Sequence, residues 1–136
     1  MLKGLRRSIV LDADGLSKFA RRDRVVRAMI EQEIRDADSI LIVPIIVVTQ
    51  ALTEATGDAV RAVLAAAHEV TPVDLERARE AADLMRATGL FDPVDALVAV
   101  EALRRVPAIV ITSDPTHLRR LLDAGTAGKR VAVWRG

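Results

Sequence analysis

The chain is 136 residues long, is 51% hydrophobic and carries a formal net charge of +1. This length fits one domain that buries a single core without disulfides or a structural metal. Because the chain contains no cysteine, thiol catalysis, cysteine-ligated zinc and disulfides are excluded, and we expect a cytoplasmic protein.

Aromatic residues are almost absent, since Phe19, Phe91 and Trp134 are the only ones. The core must therefore be aliphatic, and nucleic-acid modules that stack bases on aromatic platforms are disfavoured. No apolar stretch reaches the length of a transmembrane helix, so we expect no membrane-spanning segment.

Short apolar runs and helical stripes alternate along the chain. The apolar runs predict strands at 8–12, 40–43, 68–71, 108–112 and 130–134. Apolar residues at helical spacing, with Gly or Pro near the segment ends, predict helices at 15–22, 25–35, 46–56, 58–67, 72–88, 92–105 and 115–124. This alternation indicates an α/β fold in which helices cover both faces of a parallel sheet. No linker or repeat interrupts it, so residues 1–136 are predicted to form one domain.

Three aspartates follow strands or open helices in distant parts of the chain. Asp12 ends the first apolar run, Asp114 follows the fourth, and Asp95 lies in the first turn of the helix at 92–105. In an open α/β sheet, ligands bind at the carboxyl ends of the strands. Carboxylates gathered there repel one another unless a cation lies between them, and oxygen ligands suit a hard divalent cation. These aspartates are therefore candidate metal ligands and catalytic residues.

Each of these acids also has a structural interpretation as a helix cap. Asp14 is the better-placed N-cap for the first helix, which leaves Asp12 free for chemistry. Asp92, before a proline, is a natural N-cap, and it is also a candidate metal ligand because it shares a helix face with Asp95. Asp114 has the same two interpretations.

The segments around the three aspartates, at 9–16, 95–99 and 111–115, resemble the three Asp motifs of PIN domains. The similarity is closest to the VapC-type toxins of bacterial toxin–antitoxin pairs, and it extends over essentially the whole chain. It implies a parallel sheet in the order 3-2-1-4-5 flanked by helices. It also implies hydrolysis of RNA phosphodiesters by water activated on Mg²⁺ or Mn²⁺, a homodimer, and a small cognate antitoxin as partner.

One position departs from the family pattern. The family places a Glu six residues after a proline like Pro44, and this position is Gln50 here. An amide oxygen can ligate a hard cation, but the loss of a negative charge should lower metal affinity. Glu54, one turn further along the helix, either reaches the metal or lies on the surface.

Other polar residues are candidate substrate contacts. Thr112 and Ser113 can hydrogen-bond a phosphate or a ligating carboxylate, or they serve turn and cap chemistry before Pro115. His117 is a further candidate, whereas no role is assigned to His68. Arginine suits bidentate phosphate contacts. The arginines proposed for this role are Arg21, Arg22, Arg119 and Arg120.

Two other functions are considered. The segment 12–15 resembles the Asp-x-Asp-Gly loop of haloacid-dehalogenase phosphatases, whose first Asp is a nucleophile. That family also needs a lysine, and none of this chain's lysines is suitably placed; they are Lys3, Lys18 and Lys129. The second alternative is a non-catalytic or weakened PIN-like module that binds RNA or protein, which the neutral Gln50 favours.

A partner surface is predicted separately. The apolar stripe at 25–34 and the helix that begins at Ile46 could form a groove for an amphipathic segment of the antitoxin. Most of these aliphatic side chains are also suited to the core.

Overall fold

The computed structural model describes residues 6–136, and Lys3 lies outside this range. Five strands form a single sheet in the order β3-β2-β1-β4-β5, and every neighbouring pair is parallel. The strands are β1 (Ser8–Leu11), β2 (Ile40–Pro44), β3 (Glu69–Thr71), β4 (Ala108–Thr112) and β5 (Val131–Arg135). The predicted α/β class and the strand order 3-2-1-4-5 are confirmed.

Seven α-helices in residues 6–136 flank the sheet. They are α1 (Ala13–Ala20), α2 (Arg24–Ala37), α3 (Val48–Ala51), α4 (Gly57–Ala66), α5 (Leu75–Thr88), α6 (Pro93–Arg104) and α7 (Pro115–Asp123). Short 3-10 helices, Ile45–Val47 and Gly128–Arg130, precede α3 and β5. Within the described range, no helix combines the length and apolarity needed to cross a membrane.

The predicted helix at 46–56 is wrong in its extent. A 3-10 turn and the single turn of α3 replace it, and this helical segment ends near Ala51. The Thr53 hydroxyl donates to the Gln50 carbonyl at 2.6 Å, closing a turn. Thr56 then has extended backbone and caps α4 through the N–H of Ala59, so the earlier helix cannot continue through it.

The core is aliphatic, as the composition predicted. Every residue of β1 and β4 is buried, because helices pack on both faces of these central strands. The two strands are neighbours in register, with Leu11 beside Ile111. Residues that follow them therefore emerge next to each other at the carboxyl edge of the sheet.

Candidate functional site

A cleft of about 190 Å³ opens at this carboxyl edge. Polar side chains from four separate segments line it, together with Ala13 and Val94. The polar residues are Asp12, Asp14, Gln50, Asp92, Asp95, Thr112, Ser113 and Asp114. The structure thus brings the three predicted catalytic aspartates to one cavity, along with Gln50 and Asp92.

Asp12, and not Asp14, is the N-cap of α1. The Gly15 N–H donates to Asp12 Oδ1 at 2.7 Å. The prediction that Asp14 caps this helix is wrong because α1 begins directly after β1, two residues earlier than the predicted start. Asp14 instead accepts a hydrogen bond from the hydroxyl of Ser113, which ties the start of α1 to the end of β4.

Two further aspartates of the cleft are helix caps. Asp92 accepts the N–H of Asp95 at 3.1 Å at the start of α6, and Asp114 accepts the N–H of His117 at 3.2 Å at the start of α7. The N-termini of three helices therefore meet at the cleft, where their dipoles favour negative charge. Asp95 lies in the first turn of α6 and has no capping role.

Thr112 connects two of the acids. Its hydroxyl accepts the backbone N–H of Asp114 at 3.0 Å, and it also lowers the pKa of the Asp12 carboxyl by hydrogen bonding. This buried residue is therefore placed to orient the Asp12 carboxyl and to hold the backbone at Asp114.

Burial and crowding disfavour ionisation of the acids. Burial raises the pKa of the Asp12 carboxyl, although Thr112 and the Gly15 N–H oppose the shift. For Asp95, burial and then the carboxylate of Asp92 raise the pKa to about 6; Asp12 and Asp114 add to this shift, and His117 opposes it. Such shifts are expected where carboxylates meet without a neighbouring cation. The oxygen-rich donor set fits a hard divalent cation.

Several predicted site residues lie outside the cleft. Glu54 is exposed and accepts a hydrogen bond from the Ser17 hydroxyl at 2.8 Å, so the structure places it on the surface beside α1. Arg21 and Arg22 follow the far end of α1, and Arg22 lines a different groove together with Phe19. The structure does not bring these three charged residues to the aspartates.

Arg119 and Arg120 also lie outside the cleft. Arg119 donates to the Asp123 carboxylate and to the backbone carbonyls of Gly128 and Val131. Its guanidinium therefore stabilises the packing of α7 against the start of β5. Arg120 is exposed at a shallow groove that it shares with Pro115 and Thr116. Those two residues directly follow Asp114, which lines the cleft.

His117 is more closely connected to the acids than the sequence suggested. Its Nε2 lies 3.4 Å from Asp95 Oδ2, although the two residues come from different helices. One feature of the sequence could have indicated His117 as a site residue. It lies three residues after Asp114, a spacing that puts both side chains on one face at the start of a helix.

No protein-family model matches the chain, and no curated protein matches it.

Proposed function

We propose that this chain is a metal-dependent endoribonuclease similar to the VapC-type PIN-domain toxins. The observation that supports this best is the convergence of Asp12, Asp95 and Asp114, from three distant segments, on one cleft at the carboxyl edge of the sheet. The motif resemblance supports the same reaction, and the strand order is the one that it implies.

The residues of the cleft would have separate roles in metal binding and in orienting the metal ligands. Asp12, Asp95 and Asp114, with the amide oxygen of Gln50, would hold Mg²⁺ or Mn²⁺. When bound, such an ion lowers the pKa of a water, aligns it with the phosphorus and neutralises charge on the leaving oxygen. Thr112 hydrogen-bonds the Asp12 carboxyl and the backbone N–H of Asp114, and the helix N-termini favour the ionised forms of the acids.

Labelled RNA incubated with Mn²⁺ tests the proposal. We expect cleavage by the unaltered chain and a loss of at least about 100-fold in Asp12→Asn and Asp95→Asn, because each variant keeps its shape but removes a charge that the reaction needs. RNA binding should be retained. Asp36→Asn, an exposed position on α2, is the matched control and should cleave normally. Absence of metal-dependent cleavage, or full activity in both cleft variants, would refute the proposal.

Gln50 supports a second candidate function, a PIN-like module that binds RNA without cleaving it. The neutral side chain lines the cleft where the family has a carboxylate. This candidate predicts RNA binding with no cleavage by the unaltered chain in Mg²⁺ or Mn²⁺. Cleavage that appears only in Gln50→Glu would identify a weakened nuclease.

The phosphatase alternative has less support. In the described part of the chain no lysine lines the cleft: Lys18 donates to the Gly136 carbonyl at 2.6 Å, and Lys129 lies in the 3-10 turn before β5. Within residues 6–136, an aspartyl nucleophile at Asp12 would therefore have no lysine in its cleft.

We also propose a small antitoxin partner and a homodimer, as the resemblance implies. Val26 and Ile30 of the stripe at 25–34 are fully buried, whereas Val25 is 65% exposed, so only part of this stripe is available to an antitoxin. A groove of about 470 Å³ between α1, α2 and α4, with Phe19 and Ala62 in its wall, is the better candidate. Co-purification with the protein encoded next door tests for the antitoxin, and sedimentation of the chain alone tests for the dimer.

A further inference from the structure

The first turns of α6 and α7 place three possible metal ligands together. One ligand atom each from Asp92, Asp95 and His117 lies within 4.8 Å of the others. Asp92 and Asp95 both line the three-aspartate cleft, and His117 adds an imidazole beside them. The cluster therefore differs from a purely acidic one, because it includes an imidazole nitrogen.

The imidazole has an unusual environment. The Nε2 atom of His117 is buried, although the side chain as a whole is 24% exposed. This atom has no hydrogen-bond partner among residues 6–136, and Asp95 Oδ2 lies 3.4 Å away, at ion-pair distance. Burying a polar atom without a partner is unfavourable, so such an atom points to a missing ligand. The backbone N–H of His117 is held by Asp114, which fixes the start of the helix that carries the ring.

The spacing of the three ligand atoms suits a single ion. Metal–ligand distances of about 2.0–2.2 Å place neighbouring ligands roughly 3 Å apart and opposite ligands a little over 4 Å apart. The separations in the cluster are only slightly larger, and small rotations of the two carboxylates would close the difference. The lone pair of a neutral imidazole would then have a partner.

We propose that Asp92, Asp95 and His117 form a subsite for a transition-metal ion, adjoining the cation site of the cleft. Two carboxylates and one imidazole favour Mn²⁺ or Co²⁺ over Mg²⁺, because nitrogen is a softer donor than the oxygens that Mg²⁺ prefers. The inference rests on the proposed function in one respect: Asp95 would be shared between this subsite and the catalytic cation. It adds a metal preference that the three aspartates alone would not produce.

Metal binding to the full chain tests the subsite directly. Calorimetry with Co²⁺, Mn²⁺ and Mg²⁺, and the nitrogen coupling of bound Mn²⁺ in pulsed electron paramagnetic resonance, should both detect the imidazole. In His117→Gln, an amide oxygen replaces the ring nitrogen. We expect Co²⁺ affinity to fall at least about tenfold, Mg²⁺ affinity to stay within about threefold, and the nitrogen coupling to disappear.

His68 provides the matched control, since it is the other histidine of the chain. Its Nδ1 accepts the Leu41 N–H at 2.8 Å, and the oxygen of His68→Asn can replace that acceptor. Metal binding and nitrogen coupling should be unchanged in this variant. Circular dichroism of both variants checks that the fold is kept, and His117→Ala provides a second removal of the ligand.

The outcomes separate this inference from the nuclease proposal. The subsite is refuted if Mn²⁺ bound to the unaltered chain shows no nitrogen coupling, or if His117→Gln binds Co²⁺ as tightly as the unaltered chain. In that case loss of RNA cleavage in Asp12→Asn would still support the nuclease. If the nitrogen coupling is present and depends on His117 while no metal supports cleavage, the subsite stands and the nuclease proposal fails.

Discussion

Gln50 lines the cleft among several carboxylates without contributing a charge. We predict that Gln50→Glu binds Mn²⁺ on the order of tenfold more tightly, because ligand charge helps to set cation affinity. Calorimetry of the full chain measures this change. Gln32→Glu, an exposed position on α2, adds the same charge away from the cleft and should leave the affinity unchanged. Equal affinities in the Gln50 variant and the unaltered chain would exclude Gln50 as a ligand.

Asp95 gives the metal-free protein a pH-dependent stability. Its pKa is raised from 3.8 to about 6, so the folded state binds more protons than the unfolded state between these values. The free energy of unfolding therefore falls as pH rises through this window, and the full cost is present above pH 6. Because solvent screens the partly exposed carboxyl, we expect a cost of about 1–2 kcal/mol.

Asp95→Asn removes this cost. We predict that the variant is more stable than the unaltered chain at pH 7.5 by about 1–2 kcal/mol, and that the difference shrinks towards pH 4.5. Urea unfolding with a metal chelator present measures both values. A difference of the same size at the two pH values would show that the charge of Asp95 is not its cause.

The sequence was sufficient to predict which acids meet, but not how each is held. Asp12, Asp95 and Asp114 could be assigned to one edge because each follows a strand or begins a helix, and strand topology then brings them together. That Asp12 rather than Asp14 caps α1 could not be predicted, since it depends on a two-residue difference in where the helix starts. The contact of His117 with α6 depends on the packing of two helices, which local sequence does not encode.

The start of α1 depends on a close approach to β4 at Gly15. A Cβ atom at this position would lie 2.8 Å from the backbone oxygen of Ile111, too close for an unshifted helix. We predict that Gly15→Ala destabilises the protein by about 1–3 kcal/mol, despite the better helix propensity of Ala. Urea unfolding measures the effect.

Gly57 offers a matched comparison at the start of α4, because no atom lies within 4 Å of its added Cβ. Gly57→Ala should be neutral or stabilising by up to about 1 kcal/mol, through the lower entropy of the unfolded chain. If both alanine variants behaved alike, the close packing of α1 on β4 would not explain the glycine at position 15.

Elements whose ends are marked by a proline or a capping residue were predicted best. The strand at 108–112 is observed at Ala108–Thr112, because a proline precedes it and the Asp114 cap of α7 follows it. The helix predicted at 46–56 was wrong because Thr56 acts as a cap for α4, and its side-chain hydrogen bond competes with helix continuation. The spacing of apolar residues does not indicate that a capping hydrogen bond competes with continuation of the helix.

For the whole molecule, the weak net charge means that the proposed RNA binding would depend on local groups. Arg120 is exposed at a groove whose lining includes Pro115 and Thr116, the residues that follow Asp114, and it is our candidate for a contact to a backbone phosphate. We predict that Arg120→Ala weakens RNA binding and reduces the salt dependence by about one ion, whatever the RNA sequence. Arg61→Ala, at an exposed site on α4, is the control. Identical salt dependence in the two variants would exclude Arg120 from the RNA path.

A buried ion-pair network joins the edge of the sheet to two helices. Glu101 of α6 is 1% exposed and accepts hydrogen bonds from Arg77 Nε at 2.8 Å and Arg105 Nε at 3.0 Å. Arg77 belongs to α5, and Arg105 also pairs with Glu69 of β3 through both of its terminal nitrogens. The arginines hold the pKa of the Glu69 carboxyl below its usual range. The network therefore fixes β3, α5 and the end of α6 relative to one another.

Removing Glu101 should affect the whole fold. Glu101→Ala would remove the buried carboxylate that Arg77 and Arg105 share, and leave them only Asp74 and Glu69 as partners. Because each arginine keeps one acid, we predict a loss of about 3 kcal/mol in the free energy of unfolding, the low end for a broken buried ion pair. Glu80→Ala, which removes the half-exposed partner of Arg104, should cost less than about 1 kcal/mol. Urea unfolding of the two variants compares a buried pair with a surface pair that joins the same two helices. Comparable small losses in both would mean that hydrophobic packing, with the remaining Arg77–Asp74 and Arg105–Glu69 pairs, is enough to fix these helices.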